Sequence, residues 1–96
     1  MITKVVNLRH YSYDVYIGRA GHGQDGYFGN PIRLEHEGQR EEVLQKYEAY
    51  FYDRIQKDPE FRSRIHALKG KTLGCFCKPK LCHGDIIADY VNNEVP

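Results

Sequence analysis

The residues best suited to chemistry are three cysteines and a histidine that lie close together near the end of the sequence. Cys75 and Cys77 are one residue apart, and Cys82 is followed directly by His83. A thiolate is a nucleophile and a metal ligand, and a neighbouring imidazole can carry a proton. The pattern predicts a Cys/His site whose candidate catalytic residues are Cys82, His83 and Cys77.

Three interpretations of this cluster are open from the sequence. Cys82 precedes a predicted helix, where free N–H groups stabilise a thiolate, and Lys78 would add positive potential for an anionic ligand. A zinc ion would instead use Cys75, Cys77, Cys82 and His83, a ligand set that zinc accepts, although the spacing lacks the usual knuckle of paired cysteines. In the third interpretation the cysteines are small core residues and His83 caps a helix. Apart from zinc, no cofactor is expected.

A second unusual segment is the glycine-rich stretch from Gly18 to Gly38, which has neither a helical nor a strand pattern. Connections of about twenty residues are typically binding loops or lids, and the alternative is a mobile surface loop. Glycine lets backbone N–H groups approach an anion, and the guanidinium of Arg19 can hold a phosphate with two hydrogen bonds. The candidate ligand-binding residues are therefore Gly18, Arg19, Gly29, Asn30 and Lys78.

Hydrophobic periodicity and capping signals predict three strands and three helices in the order β-β-α-α-β-α. The strands cover Ile2 to Leu8, Asp14 to Ile17 and Thr72 to Cys77. The first helix has an apolar stripe of Leu44, Tyr47, Phe51 and Ile55, the second begins at Asp58-Pro59-Glu60, and the third contains Ile86, Ile87, Tyr90 and Val91.

The connections between these elements predict a small Rossmann-like α/β domain with a short mixed sheet. Only a few residues separate the first two strands, which favours a hairpin. The second strand, two helices and the third strand form a crossover unit, which makes those two strands parallel. Parallel strands end at the same edge of a sheet, so Gly18 and Arg19 should lie beside Cys77.

Length and composition limit the class of protein. The 96 residues predict one domain over 1–96, and the formal net charge of +1 gives no general signal for nucleic-acid binding. Three crowded cysteines suit a reducing compartment, and no segment is apolar enough for a membrane span. We therefore expect a cytoplasmic protein with no membrane partner.

The chain is also rich in tyrosine, with eight tyrosines and four phenylalanines. Aromatic rings beside basic residues can stack on nucleobases, whereas ordinary core packing explains most of the tyrosines. The aromatic residues near the first two strands and in the glycine-rich loop are Tyr11, Tyr13, Tyr16, Tyr27 and Phe28.

Several motifs together resemble a known family. They are Val5-Val6-Asn7-Leu8, Tyr16-Ile17-Gly18-Arg19, Gly29-Asn30-Pro31, Gly70-Lys71-Thr72-Leu73-Gly74-Cys75-Phe76-Cys77 and Cys82-His83-Gly84-Asp85. This combination is similar to domain-of-unknown-function family 4326, which occurs in bacteria and phages, and the carboxyl-terminal part also resembles family 488. The resemblance implies a compact α/β fold with a pocket built from Arg19, Asn30, Cys77, Cys82 and His83. It implies no particular reaction, and residues 20–28 look like an expansion of the family's loop.

Two classes of function follow. The protein binds, and in one version processes, an anionic nucleotide- or nucleobase-type ligand at the Cys/His site at the sheet edge. Alternatively, it is a noncatalytic protein that sequesters such a ligand, as a homo-oligomer because a domain of this size offers few walls for a pocket. A zinc-stabilised interaction module is a third hypothesis.

Overall fold

Three parallel strands and three α-helices form the chain in the computed structural model, which describes residues 2–21, 23–32, 36–76, 78, 80 and 82–96, without the side chain of residue 37. The strands are β1 (Lys4–Asn7), β2 (Val15–Tyr16) and β3 (Thr72–Cys75). The helices are α1 (Arg40–Lys57), α2 (Pro59–His66) and α3 (His83–Glu94), and a 3-10 helix at Glu37–Gln39 precedes α1. The predicted α/β class and order of elements are confirmed, with strands shorter than expected.

The sheet is parallel throughout, in the order β1-β3-β2. The predicted hairpin is therefore wrong, and so is the mixed sheet. Residues 8–14 instead lead the chain from the carboxyl end of β1 across β3 to the amino end of β2, where the N–H of Asp14 donates to the carbonyl of Thr72 at 2.8 Å. The predicted parallel pairing of β2 with β3 is confirmed.

The connection packs directly on β3 at Gly74, which has no side chain. A Cβ atom at this position would lie 2.6 Å from Cγ of Tyr13, whose ring covers the middle of β3. The glycine in β3 therefore leaves room for the Tyr13 ring of this connection to pack on the strand.

Alternation along the strands gives the sheet two different faces. Val5, Leu73 and Val15 are register neighbours, and they belong to or pack against the hydrophobic core formed with the helices. The next row, Val6, Gly74 and Tyr16, points to the opposite side, which we call the outer face. The helix-packed face and the outer face therefore offer different chemistry.

The core lies between the inner face of the sheet and the helices. On α1 the buried residues are Val43, Tyr47, Phe51 and Ile55. Leu44, which was predicted to belong to this stripe, is only half-buried. The buried residues instead follow one another at intervals of four, and Val43 takes the place predicted for Leu44. On α2 and α3 the most buried core residues are Phe61, Ile65, Ile87 and Val91.

The α2 helix begins as its capping signal predicts. The Asp58 carboxylate accepts a hydrogen bond from the N–H of Phe61 at 3.0 Å, and Pro59 is the first helical residue. After α2 the chain turns at Gly70, whose φ of 79° is in the left-handed region. This turn directs the chain into β3.

Thr3, which precedes β1, forms hydrogen bonds with the segment after α2 and with α3. Its buried hydroxyl donates to the carbonyl of Leu68 at 3.1 Å and accepts from the N–H of Gly70 at 2.8 Å. The backbone of Thr3 also exchanges two hydrogen bonds with the Asn92 side chain, each 2.8 Å long. These bonds hold β1 beside β3 even though the two strands are far apart in sequence.

Candidate functional site

Three of the four predicted Cys/His residues lie together where the carboxyl end of β3 is close to the start of α3. Cys75 is the last residue of β3, Cys82 precedes α3 and His83 begins it. The two sulfur atoms are 2.6 Å apart, and Sγ of Cys82 is 3.7 Å from Nδ1 of His83. All three side chains are buried, with exposed fractions of 1% for Cys82 and 6% for His83. The fourth predicted residue, Cys77, lies outside the described residues.

The His83 ring is oriented by two backbone carbonyls. Its Nε2 atom is 2.7 Å from the oxygen of Ile17 and 3.1 Å from that of Phe28. A carbonyl can only accept a hydrogen bond, so Nε2 must carry the proton. In the neutral ring, Nδ1 then has a lone pair beside the Cys82 sulfur.

Cys82 is the N-cap of α3. Its sulfur accepts from the N–H of Gly84 at 3.4 Å, while its own N–H donates to the Asp85 carboxylate at 3.1 Å. This reciprocal pattern is a capping box with a thiol in place of a hydroxyl. The helix N-terminus that the sequence predicted beside Cys82 is confirmed.

A neutral aromatic wall closes the other side of the imidazole. The rings of Tyr47 and His83 meet edge to face, with centroids 5.2 Å apart. Burial raises the pKa of Tyr47 far above its ordinary value, so its phenol stays uncharged. The His83 ring is therefore held by hydrogen bonds on one side and by packing on another.

An open groove between α1 and α3 has Cys82 in its wall. Its volume is about 470 Å³, and its lining includes four carboxylates, those of Glu41, Glu48, Asp85 and Asp89. Lys78 forms an ion pair with Asp85. The predicted anion-binding lysine is thus engaged by a carboxylate, and the groove beside Cys82 favours a cation over an anion.

The glycine-rich loop reaches the same end of the sheet. Gly18 and Gly29 lie in contact, since a Cβ atom on Gly29 would be 2.9 Å from the Gly18 oxygen and 3.1 Å from Cα of Arg19. The neighbouring carbonyls, those of Ile17 and Phe28, are the two that bind His83. The two unusual segments of the sequence therefore converge, as expected from parallel strands.

The polar side chains of this loop make local contacts. The exposed guanidinium of Arg19 donates one hydrogen bond to the Ile32 carbonyl at 2.9 Å. The side-chain oxygen of Asn30 accepts from the N–H of Ile32 at 2.8 Å, which stabilises a turn. Asn30 is therefore a turn residue in this structure, whereas Arg19 faces solvent.

An aromatic surface lies on the outer face near the carboxyl ends of the strands. It consists of Tyr13, Tyr16 and Phe76 with Arg9, and Phe76 is 47% exposed. The Arg9 guanidinium lies over the Phe76 ring at 5.3 Å from its centroid, and the Tyr16 ring meets Phe76 edge to face at 6.2 Å. The Tyr16 hydroxyl donates to the Arg19 carbonyl at 2.7 Å, so the surface adjoins the glycine-rich loop.

Two residues of this surface, Phe76 and Arg9, were not predicted from the sequence. Strand alternation was the available signal for Phe76, because a residue next to the buried Cys75 must point to the opposite face. Arg9 carried no such signal, since its position depends on the connection that crosses β3. The exposed Tyr11 lies in the same connection.

The described helices include none with the length and apolar character needed to cross a bilayer.

The chain matches, over residues 2–93, a family model described as "Domain of unknown function (DUF4326)". It is also 36% identical over 91 residues to the "Uncharacterized 12.4 kDa protein in nrdA-td intergenic region" of Enterobacteria phage T4, covering 95% of this chain and 79% of the phage protein. No solved structure matches the chain. The resemblance to family 4326 is thereby confirmed, whereas these comparisons do not show the one to family 488, and the chain belongs to the DUF4326 family.

Proposed function

We propose that this protein binds a nucleotide- or nucleobase-type ligand on the aromatic surface, at the carboxyl edge of its parallel sheet. The observation that carries the proposal is Phe76, a phenylalanine about half exposed and flanked by a guanidinium and a tyrosine ring. Exposed aromatic rings on a sheet, with cations beside them, are the usual platform for stacking a base.

Arg9 and Arg19 supply the charge that a nucleotide requires. Arg9 stacks on Phe76, and Arg19 is joined through its backbone to Tyr16. A guanidinium can bind phosphate through paired N–H groups. Among the described residues, the Arg19 side chain donates one hydrogen bond, to the Ile32 carbonyl. The base would stack on the part of the Phe76 ring that stays exposed beside Arg9, and the phosphate would lie beside an arginine.

The ligand is placed on the outer face, and not beside Cys82, for two physical reasons. The four carboxylates of the groove repel a phosphate, and the thiol of Cys82 is almost fully buried. Roles for Cys82, His83 and Cys77 in catalysis therefore stay predictions. A Rossmann-like arrangement also stays a prediction, supported by the parallel sheet and its helical crossover, and homo-oligomer formation stays one as well.

The test is an NMR titration with AMP, GMP, CMP and UMP, with ribose 5-phosphate as a matched ligand that lacks a base. We expect the nucleotides to shift the ring resonances of Phe76 and Tyr16, and ribose 5-phosphate to leave them unchanged. Stacking contributes about 1–3 kcal/mol per base, so Phe76→Ala should weaken binding by about fivefold to 100-fold.

Tyr52→Ala is the control, because Tyr52 is an exposed tyrosine, 39% accessible, that lies on α1 away from the outer face. It should bind as the wild type does. Arg9→Gln should weaken the binding of a nucleotide more than that of the corresponding nucleoside. The proposal is wrong if no nucleotide shifts these rings at millimolar concentration, or if Phe76→Ala and Tyr52→Ala bind alike.

A further inference from the structure

A second site is built on the opposite face of the sheet, independent of the aromatic surface. Sγ of Cys75, Sγ of Cys82 and Nδ1 or Nε2 of His83 all lie within 4.8 Å of one another, and all three residues are buried. Zinc is typically bound by cysteine thiolates and histidine imidazoles, as in this cluster, whereas magnesium and calcium prefer oxygen ligands. From this cluster we propose that Cys75, Cys82 and His83 bind one zinc ion.

The hydrogen bonds of His83 assign its ligating atom. Nε2 faces the carbonyls of Ile17 and Phe28, so Nδ1 has the lone pair, and Nδ1 is the atom near the Cys82 sulfur. Histidines that bind zinc usually donate their other N–H group to a carbonyl or carboxylate, which fixes the ring. The cluster already has this outer shell.

The distances are compatible with a tetrahedral ion after a small rotation. With Zn–S near 2.3 Å and Zn–N near 2.0 Å, a sulfur and a nitrogen ligand lie about 3.5 Å apart and two sulfurs about 3.8 Å apart. The Cys82–His83 separation is 3.7 Å, whereas the two sulfurs are 2.6 Å apart. Rotation of a cysteine side chain by about 1 Å at sulfur would open the pair to bind the ion.

The residues around the cluster favour the thiolate form of Cys82 and the entry of a cation. The N–H of Gly84 points at the Cys82 sulfur from the first turn of α3, which favours a thiolate. The acidic groove that Cys82 lines offers a cation a route from solvent. The ligands come from the end of β3 and the start of α3, so the ion would join two elements that no hydrogen-bonded ladder connects.

The experiment measures zinc in the full chain. Protein expressed in zinc-supplemented medium and purified with reductant should contain one zinc ion per chain by elemental analysis and native mass spectrometry. Replacement by Co²⁺ should give thiolate-to-metal charge transfer and the intense visible bands of a tetrahedral site. Cys82→Ser and His83→Gln should each weaken zinc binding, measured by competition with a chromophoric chelator, by at least about tenfold.

His66→Gln is the matched control, since His66 bonds to the Tyr90 hydroxyl and lies outside the cluster. It should retain one zinc ion at wild-type affinity. The cobalt spectrum of the wild type keeps the test decisive if a cysteine variant fails to fold.

Two results would overturn the proposal. One is a wild-type chain that, after reduction and incubation with Zn²⁺ or Co²⁺, holds no ion and shows no charge-transfer band. The other is a chain whose mass under non-reducing conditions is lower by two hydrogens and which binds no metal after reduction, which would make Cys75 and Cys82 a redox pair. Nucleotide binding to Phe76 is measured separately, so either proposal can fail alone.

Discussion

Tyr13 and Gly74 are in direct contact across the outer face: a Cβ atom on Gly74 would lie 2.6 Å from Cγ of Tyr13. The ring therefore occupies the space where other residues of β3 have a side chain. The contact lets the connection between β1 and β2 lie directly against the central strand that it crosses. It also holds Tyr13 beside Tyr16 in the aromatic surface.

Gly74→Ala should destabilise the protein by about 1–3 kcal/mol, the usual cost of forcing an extra methyl group into packed space. Urea unfolding measures this difference. In a Tyr13→Ala background the same substitution should cost much less, because the ring it meets is gone. Gly38→Ala is the control and should change little, because among the described residues its added methyl would meet the side chain of exposed His36. Equal costs of Gly74→Ala in both backgrounds would contradict the described contact.

His83→Ala should lower the free energy of unfolding by about 2–4 kcal/mol in the presence of a chelator. The substitution leaves the carbonyls of Ile17 and Phe28 without their donor, and a buried group that loses its partner costs about 1–3 kcal/mol. Chelation keeps any metal contribution out of the comparison. His66→Ala, which removes one part-buried bond to Tyr90, should cost less. If the two variants are equally stable, the bonds of His83 do not hold α3 to the loop.

Tyr27→Phe should leave stability unchanged or raise it by up to about 1 kcal/mol. Its hydroxyl is buried without a hydrogen-bond partner among the described residues, so removing it relieves a desolvation cost. Tyr50→Phe is the opposite case, because the Tyr50 hydroxyl accepts from Nη1 of Arg54 at 2.8 Å. It should lower stability by about 1 kcal/mol. Thermal unfolding compares both, and a clear loss in Tyr27→Phe would reveal a partner for its hydroxyl.

Asp58→Ala should destabilise the protein in a way that depends on pH. The N–H of Phe61, and after it the Arg54 side chain, lower the pKa of Asp58 below its ordinary value. A carboxylate with a lowered pKa stabilises the fold above its ordinary pKa of about 3.9, and this contribution disappears as the pH falls through the lowered value. The urea midpoint of Asp58→Ala should therefore lie below that of the wild type at neutral pH and converge with it in acid.

Asp53→Ala provides the comparison for Asp58. Asp53 forms an ion pair with Lys57 at 2.8 Å on the exposed side of α1, where ion pairs contribute little. Its urea midpoint should stay near that of the wild type. A pH-independent effect at Asp58 would mean that the carboxylate does not cap α2 through its charge.

Local signals in the sequence determined the helices and the approximate place of the site. The spacing of Tyr47, Phe51 and Ile55 is sufficient for α1, and Asp58 with Pro59 is sufficient for the start of α2, because periodicity and capping involve neighbours within a few residues. The position of Cys82 and His83 at the start of α3 follows in the same way. The parallel pairing of β2 with β3 also brought the glycine-rich loop to the Cys/His cluster, as predicted.

Tertiary structure decided the order of the strands, the partners of His83 and the composition of the two candidate surfaces. A short connection between two strands favours a hairpin in a sequence-based prediction. Here the connection crosses β3 instead, and Tyr13 packs on Gly74, a residue about sixty positions away. Likewise, the Ile17 carbonyl meets His83 across 66 residues, and Arg9 reaches Phe76 only because the connection folds back. Long-range packing sets such contacts, and the residues involved carry no local pattern that distinguishes them from others of their type.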